Sequence, residues 1–230
     1  MTNFFGSIDS SVISPIIISI KIALVATVIT VIFGTALGLL FVRKNFPGKD
    51  ILEVIITLPM IMPPSITGYI LLLIIGRKGI IGKFLQDFFG INLIFTWQAA
   101  CIAAAVVSLP LMYQSCKSAF MGIDKTFEDA ARTLGADEWK VFRKVTLPLA
   151  WPGLVSGLVL SFARALGEFG ATLMVAGNIP GKTENIPIAT YFAVESNNLQ
   201  KANFLMGVVV LFSFITIFSL NRWLRSRRIN

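Results

Sequence analysis

The stretch Thr126–Leu149, TFEDAARTLGADEWKVFRKVTLPL, is the most polar of its length in a very apolar chain. It opens on Thr126-x-x-Asp129, a variant of the capping box, and Glu128 and Asp129 place acids in the first helical turn. Phe127, Ala130, Ala131 and Leu134 recur at helical spacing and form one narrow apolar face. Gly135 falls where a left-handed residue ends a helix. Asp137 caps a second helix, in which Trp139, Phe142 and Val145 suit a membrane interface while Lys140, Arg143 and Lys144 face headgroups. That helix stops at Pro148, and Pro148 and Pro152 mark the start of the next apolar segment. A first helix this short is unstable alone. Its apolar face therefore needs a cover, supplied either by helix ends of the same chain or by a cytoplasmic partner.

Around this hairpin the chain is built for a bilayer. Of 230 residues, 55% are hydrophobic and 14% charged, where a soluble domain carries about a quarter. Five apolar segments, approximately 12–42, 51–75, 94–115, 150–176 and 204–220, approach or exceed the roughly 20 residues that cross a membrane. The expected architecture is an all-α, polytopic helical bundle with about five transmembrane helices. The transmembrane domain covers 11–222, the cytoplasmic loop 117–149, and a basic cytoplasmic tail 223–230. The first dozen residues hold no Lys or Arg, and no small-residue site ends the first segment, so a cleaved signal peptide is not expected.

The net charge of +8 is a topology signal rather than a nucleic-acid footprint. The loops after segments one and three and the C-terminal tail hold thirteen Lys and Arg, against five on the other side. The richer side is cytoplasmic, which puts the N-terminus outside and the C-terminus inside. The chain contains no histidine, the commonest metal ligand and general base. Cys101 and Cys116 lie fifteen positions apart on one segment, about 22 Å along a helix and too far to bridge. No catalytic constellation and no phosphate-binding Gly-Lys-Ser/Thr loop is present. No catalytic, cofactor-binding or metal site is therefore assigned.

Two segments carry features that a plain span does not need. Pro63 and Pro64 sit near the middle of segment two, where freed carbonyls are tolerated against other helices or a water-filled cavity. Both a packing kink and a wall of a pathway fit. Segment four holds the one intramembrane acid, Glu168, one turn after Arg164. At that spacing the two can pair, either as scaffold or as a gate on a pathway. Lys21, in segment one, is expected to snorkel outward.

Asp129-Ala130-Ala131, three residues, Gly135, nine residues, then Val145-Thr146-Leu147-Pro148 resembles the EAA loop of ABC importer permeases, with Asp for its Glu and Val for its Ile. FPGK at 46–49, LPMIMPPSITGYILL at 58–72, GRKGIIG at 76–82, ARALGEFGAT at 163–172 and GNIPGKTENIP at 177–187 look like the molybdate branch of that family. The resemblance covers nearly the whole chain and implies a type I importer permease fold in the cell membrane. It implies that Glu128, Asp129, Ala130, Ala131, Leu134 and Gly135 couple the chain to an ATPase. It also implies a homodimer, two ABC ATPase subunits that hydrolyse the ATP, and an extracytoplasmic molybdate-binding protein. Sulfate and tungstate permeases share much of the pattern. An ion-coupled secondary transporter would explain Arg164 and Glu168, but it predicts inverted repeats, and none is evident.

Overall fold

The computed structural model describes residues 10–228. The N-terminus expected outside, and positions 229–230 of the expected basic tail, lie outside the described residues. The chain forms eleven α-helices in these residues: α1 (Ser10–Arg43), α2 (Lys49–Ile61), α3 (Pro64–Ile75), α4 (Ile80–Phe89), α5 (Trp97–Met121), α6 (Lys125–Thr133), α7 (Glu138–Val141), α8 (Leu147–Leu166), α9 (Gly170–Ala176), α10 (Ile186–Glu195) and α11 (Leu199–Arg228). A π-helical turn, Phe142–Thr146, joins α7 to α8.

Five runs among the described residues are long and apolar enough to cross a membrane: Ser11–Arg43, Pro64–Phe89, Trp97–Met121, Glu138–Leu166 and Leu199–Ser226. The protein is a multi-pass membrane protein. Helix α1, with 34 residues, is about 51 Å long and exceeds the roughly 30 Å hydrocarbon core.

The centre of the bundle is α5. Its Ala99, Ala100, Ala103, Ala104 and Ala105 are all buried, and they present so little side chain that α1 and α9 lie close against it. Farther along, Gly38 of α1 sits on Cys116: a Cβ there would lie 2.7 Å from the Cys116 Cβ. Helices in lipid associate through such close approach, because the surrounding tails are as apolar as leucine. Some buried hydroxyls return to their own helices, as Thr27 does to the Ala23 carbonyl at 2.6 Å and Ser161 to the Gly157 carbonyl at 2.8 Å. Cys101 and Cys116 are buried and free.

Two expected segments are broken rods. Segment 51–75 is α2 and α3, separated at Met62 and Pro63, both extended. A residue before proline is driven out of the helical region, so Met62 preceding Pro63, and Pro63 preceding Pro64, end α2, while Pro64 starts α3. Segment 150–176 is α8 and α9, interrupted over Gly167, Glu168 and Phe169. At its other end the π-helical turn corrects the expectation that Pro148 stops the preceding helix. The Leu147 N–H reaches back five residues to the Phe142 carbonyl. This wider winding accommodates a proline that lacks an N–H, so helix runs unbroken from Glu138 to Leu166.

Candidate functional site

The polar hairpin sits where the C-terminal ends of α1 and α5 meet the root of α8. Helix α6 begins two residues earlier than the capping-box pattern implies. Its cap is Asp124, whose Oδ1 accepts from the Thr126 N–H at 2.9 Å and from the Thr126 hydroxyl at 2.7 Å. Thr126 is thus a donor to the cap and not the cap itself, because the charged carboxylate is the stronger acceptor. These bonds hold the Asp124 carboxyl below its ordinary range. The helix closes in a Schellman motif: the Gly135 N–H donates to the Arg132 carbonyl at 2.9 Å and the Ala136 N–H to the Ala131 carbonyl at 3.0 Å. Gly135 stands at φ +83°, a left-handed conformation that L side chains resist. Asp137 caps α7, accepting from the Lys140 N–H at 2.8 Å.

The two sides of α6 differ. Phe127 is 58% exposed, Leu134 88% exposed, and Ala130 is exposed between them. Asp129 also points out, paired with Arg132 at 2.7 Å. Ala131 is half-buried. Glu128, grouped by its sequence position with the partner-facing residues, turns the other way, and its side chain is 15% exposed. It accepts from Arg43 Nη2 at 2.8 Å and from the Thr146 hydroxyl. Arg43 also donates to Thr146 Oγ1 at 3.2 Å. Arg132 extends the cluster through a forked contact with Glu138, at 2.7 Å and 3.1 Å. A cavity of about 620 Å³ opens beside these groups, lined by Arg43, Glu128, Asp129, Arg132 and Thr146 with the apolar ends of α1 and α5.

The second site-like region is where the two broken rods meet. Pro64 packs on Gly170 so closely that a Cβ there would lie 2.8 Å from the Pro64 Cβ. Arg164 and Glu168 form the ion pair expected from their spacing, with Arg164 Nη1 2.8 Å from Glu168 Oε2. Glu168 is 1% exposed and Arg164 33%. The break also makes Glu168 a helix cap, since its Oε1 accepts from the Ala171 N–H at 2.9 Å at the start of α9. Its backbone carbonyl accepts from Asn185 Nδ2 at 2.8 Å. The neighbouring Ile186 N–H donates to Ser19 of α1 at 2.7 Å. Lys21 is exposed on α1, and its ammonium rests 3.6 Å from the centre of the Trp97 ring. The negative ring face attracts it there. Among the described residues no three His, Cys, Asp or Glu side chains cluster to hold a metal.

Sequence reasoning does not single out Arg43, Thr146 or Asn185. In sequence Arg43 is one loop charge among several, Thr146 the variable position of a motif, and Asn185 one residue of a longer match. Their contacts in the site reach 85, 18 and 17 positions away, and the one local signal is that Asn185 caps α10, accepting from the Ile188 N–H at 3.0 Å.

Residues 30–230 match the family described as binding-protein-dependent transport system inner membrane component. The chain is 46% identical over 181 residues to the molybdenum transport system permease protein ModB of Escherichia coli (strain K12), covering 79% of each chain. It is 33% identical over 199 residues to the sulfate transport system permease protein CysT of Escherichia coli (strain K12), covering 86% of this chain and 72% of that one. Its fold is similar to that of the MetNI methionine ABC transporter in inward-facing conformations, with a TM-score of 0.70, 18% identity, and coverage of 94% of this chain and 95% of that one.

Proposed function

The chain belongs to the family of binding-protein-dependent transport system inner membrane components, and from that premise we propose that it is the permease subunit of an ATP-driven molybdate importer. The greater likeness to ModB than to CysT, 46% against 33% identity, favours molybdate over sulfate as cargo. Tungstate, of nearly the same size, shape and charge, shares the pathway. Two copies of the chain form that pathway. An extracytoplasmic binding protein delivers the oxyanion, and two separate ATPase subunits hydrolyse ATP.

The observation that carries the coupling role is the uncovered face of α6. Phe127, Ala130 and Leu134 lie exposed on a nine-residue helix at the cytoplasmic end of three spans. So short a helix gains its stability from packing rather than propensity, and a groove on an ATPase subunit supplies the missing cover. Asp129 and Gly135 border the same face, Asp129 as a charged rim and Gly135 as the turn that aims it. On the membrane side, the break at Pro63 and Pro64 and the break at Glu168 give two facing rods a place to pivot. Arg164 and Glu168 hold that pivot as a neutral pair, which keeps an unpaired carboxylate away from an anionic cargo.

The test is uptake by proteoliposomes carrying the permease, its ATPase subunits and the binding protein. Molybdate should enter only with ATP, tungstate should compete, and sulfate in equal amount should not. ATP-dependent entry of sulfate without entry of molybdate would reassign the cargo. Uptake driven by a proton or sodium gradient without ATP would discard the reading altogether.

A further inference from the structure

Glu128 and Asp129 are adjacent in sequence but differ in exposure on α6, 15% against 70%. Asp129 faces out, and Glu128 is withdrawn among groups from two membrane spans. Arg43 is the last residue of α1, and Thr146 closes the π-helical turn at the root of α8. Both donate to the same oxygen of Glu128, and Arg43 donates to Thr146 as well. Elements 85 and 103 positions from Arg43 are thereby tied to it at one carboxylate. Thr146 is buried, so the junction is shielded on one side from competing water. A charge-assisted contact so placed is stronger than one on an open surface.

The geometry points to Glu128 as a positioning residue that hands displacement of α6 to α1 and α8 together, and not as a docking contact. This rests on the proposed coupling role of α6 and assigns its inner face a separate duty. The outer face engages the ATPase, while the junction of Glu128, Arg43 and Thr146 makes the helix and two spans move as one body. Loss of the junction should leave the ATPase attached and turning over while the pathway no longer follows it.

The experiment uses the complex of permease and ATPase subunits, reconstituted with the binding protein and molybdate. It reads three quantities: ATPase retained on purified permease, ATP hydrolysed, and molybdate moved per ATP. For Glu128→Gln the retained ATPase should match the unaltered complex, and molybdate moved per ATP should fall about tenfold, within the usual span of coupling between sites. Arg43→Gln should do the same. The double variant should lose less than the product of the two single losses, because both singles already remove the Glu128–Arg43 contact. Thr146→Val keeps the side-chain shape and removes one donor, so it should lower the ratio less, with membrane levels unchanged. Loss of ATPase from Glu128→Gln would make Glu128 a docking contact and overturn the inference. An unchanged ratio, or singles whose losses multiply in the double variant, would overturn it too. Phe127→Asp and Leu134→Asp separate this inference from the coupling role. If neither detaches the ATPase, the coupling role fails and takes the junction with it. If they detach it while Glu128→Gln transports normally, only the junction fails.

Discussion

Glu128 and Glu168 are both withdrawn from solvent and both face an arginine, yet they are anchored over very different stretches of chain. Glu128 binds Arg43 and Thr146, which belong to two different spans. The side chain of Glu168 binds Arg164 and the Ala171 N–H, four residues before it and three after. The first carboxylate joins elements, and the second repairs a break inside one. Their surroundings follow that division. Around Glu128 the cluster holds Arg43, Arg132, Asp129 and Glu138 at a partly hydrated membrane surface. Around Glu168 a single guanidinium neutralises a single acid within the bundle. A charge on the membrane surface can change partners as its helix moves, whereas a buried one must keep its partner or lose stability.

The largest effect is expected at the buried member. Glu168→Ala removes the ion pair and the α9 cap together and leaves Arg164 uncompensated. The cost should be about 3 kcal/mol, at the low end for a broken buried pair because Arg164 is one-third exposed. Glu168→Gln keeps an oxygen for the Ala171 N–H and should cost roughly 1 kcal/mol less, the usual worth of a cap. Thermal unfolding of the detergent-solubilised permease measures both. Equal losses would show that the cap contributes nothing. Adding Arg164→Gln to Glu168→Gln should restore part of the loss, since neither side then holds a lone charge.

A smaller effect on stability is expected at Gly135, although its consequence for transport is large. A Cβ there meets nothing within 4 Å, so Gly135→Asp acts only through its backbone. Holding a residue with a side chain at φ +83° should cost roughly 1 kcal/mol. The variant should reach the membrane at normal levels but retain less ATPase and lose molybdate uptake. Normal uptake with normal ATPase retention would separate this turn from coupling.

The smallest effect is the pH dependence of the α6 cap. The folded-state value of Asp124 lies below the ordinary one, with the backbone bond from Thr126 as the main cause. Its contribution is therefore fully present above the ordinary aspartate value of about 3.9. It is lost only as the pH falls through the lower folded value. The Thr126 amide resonance should follow that titration, and Asp124→Asn should abolish it while keeping a capped helix. A midpoint at or above the ordinary value would contradict the capping geometry.

The features legible in the sequence are those with local causes. Five apolar runs, the left-handed Gly135, the Asp137 cap and the spacing of Arg164 with Glu168 each depend on residues within one or two turns. Thr126 reads as the cap in sequence because a hydroxyl followed by an acid does not reveal that Asp124, two residues earlier, competes for the same role. The break at Glu168 is hidden because Gly167 is tolerated within membrane helices. Nothing in its neighbourhood shows that the glutamate caps the helix beyond the break. The junction at Glu128 is not legible at all, since it exists only when 43, 128 and 146 meet.

The π-helical turn at Phe142–Thr146 fixes an angle. In regular α-helix each residue rotates the chain by about 100° and advances it about 1.5 Å. A π-turn takes up a residue more than that winding uses. The surplus residue is therefore absorbed in the wide turn, and the segment bearing Glu138 and Trp139 keeps its phase against the span below it. Removing one residue from 142–146 would restore regular winding with Glu138 nearly in phase with the span, whereas removing one residue from the regular winding of α8 would swing Glu138 by about 100°. The phase between the hairpin and its span is thus written in the number of residues, where substitution cannot reach it.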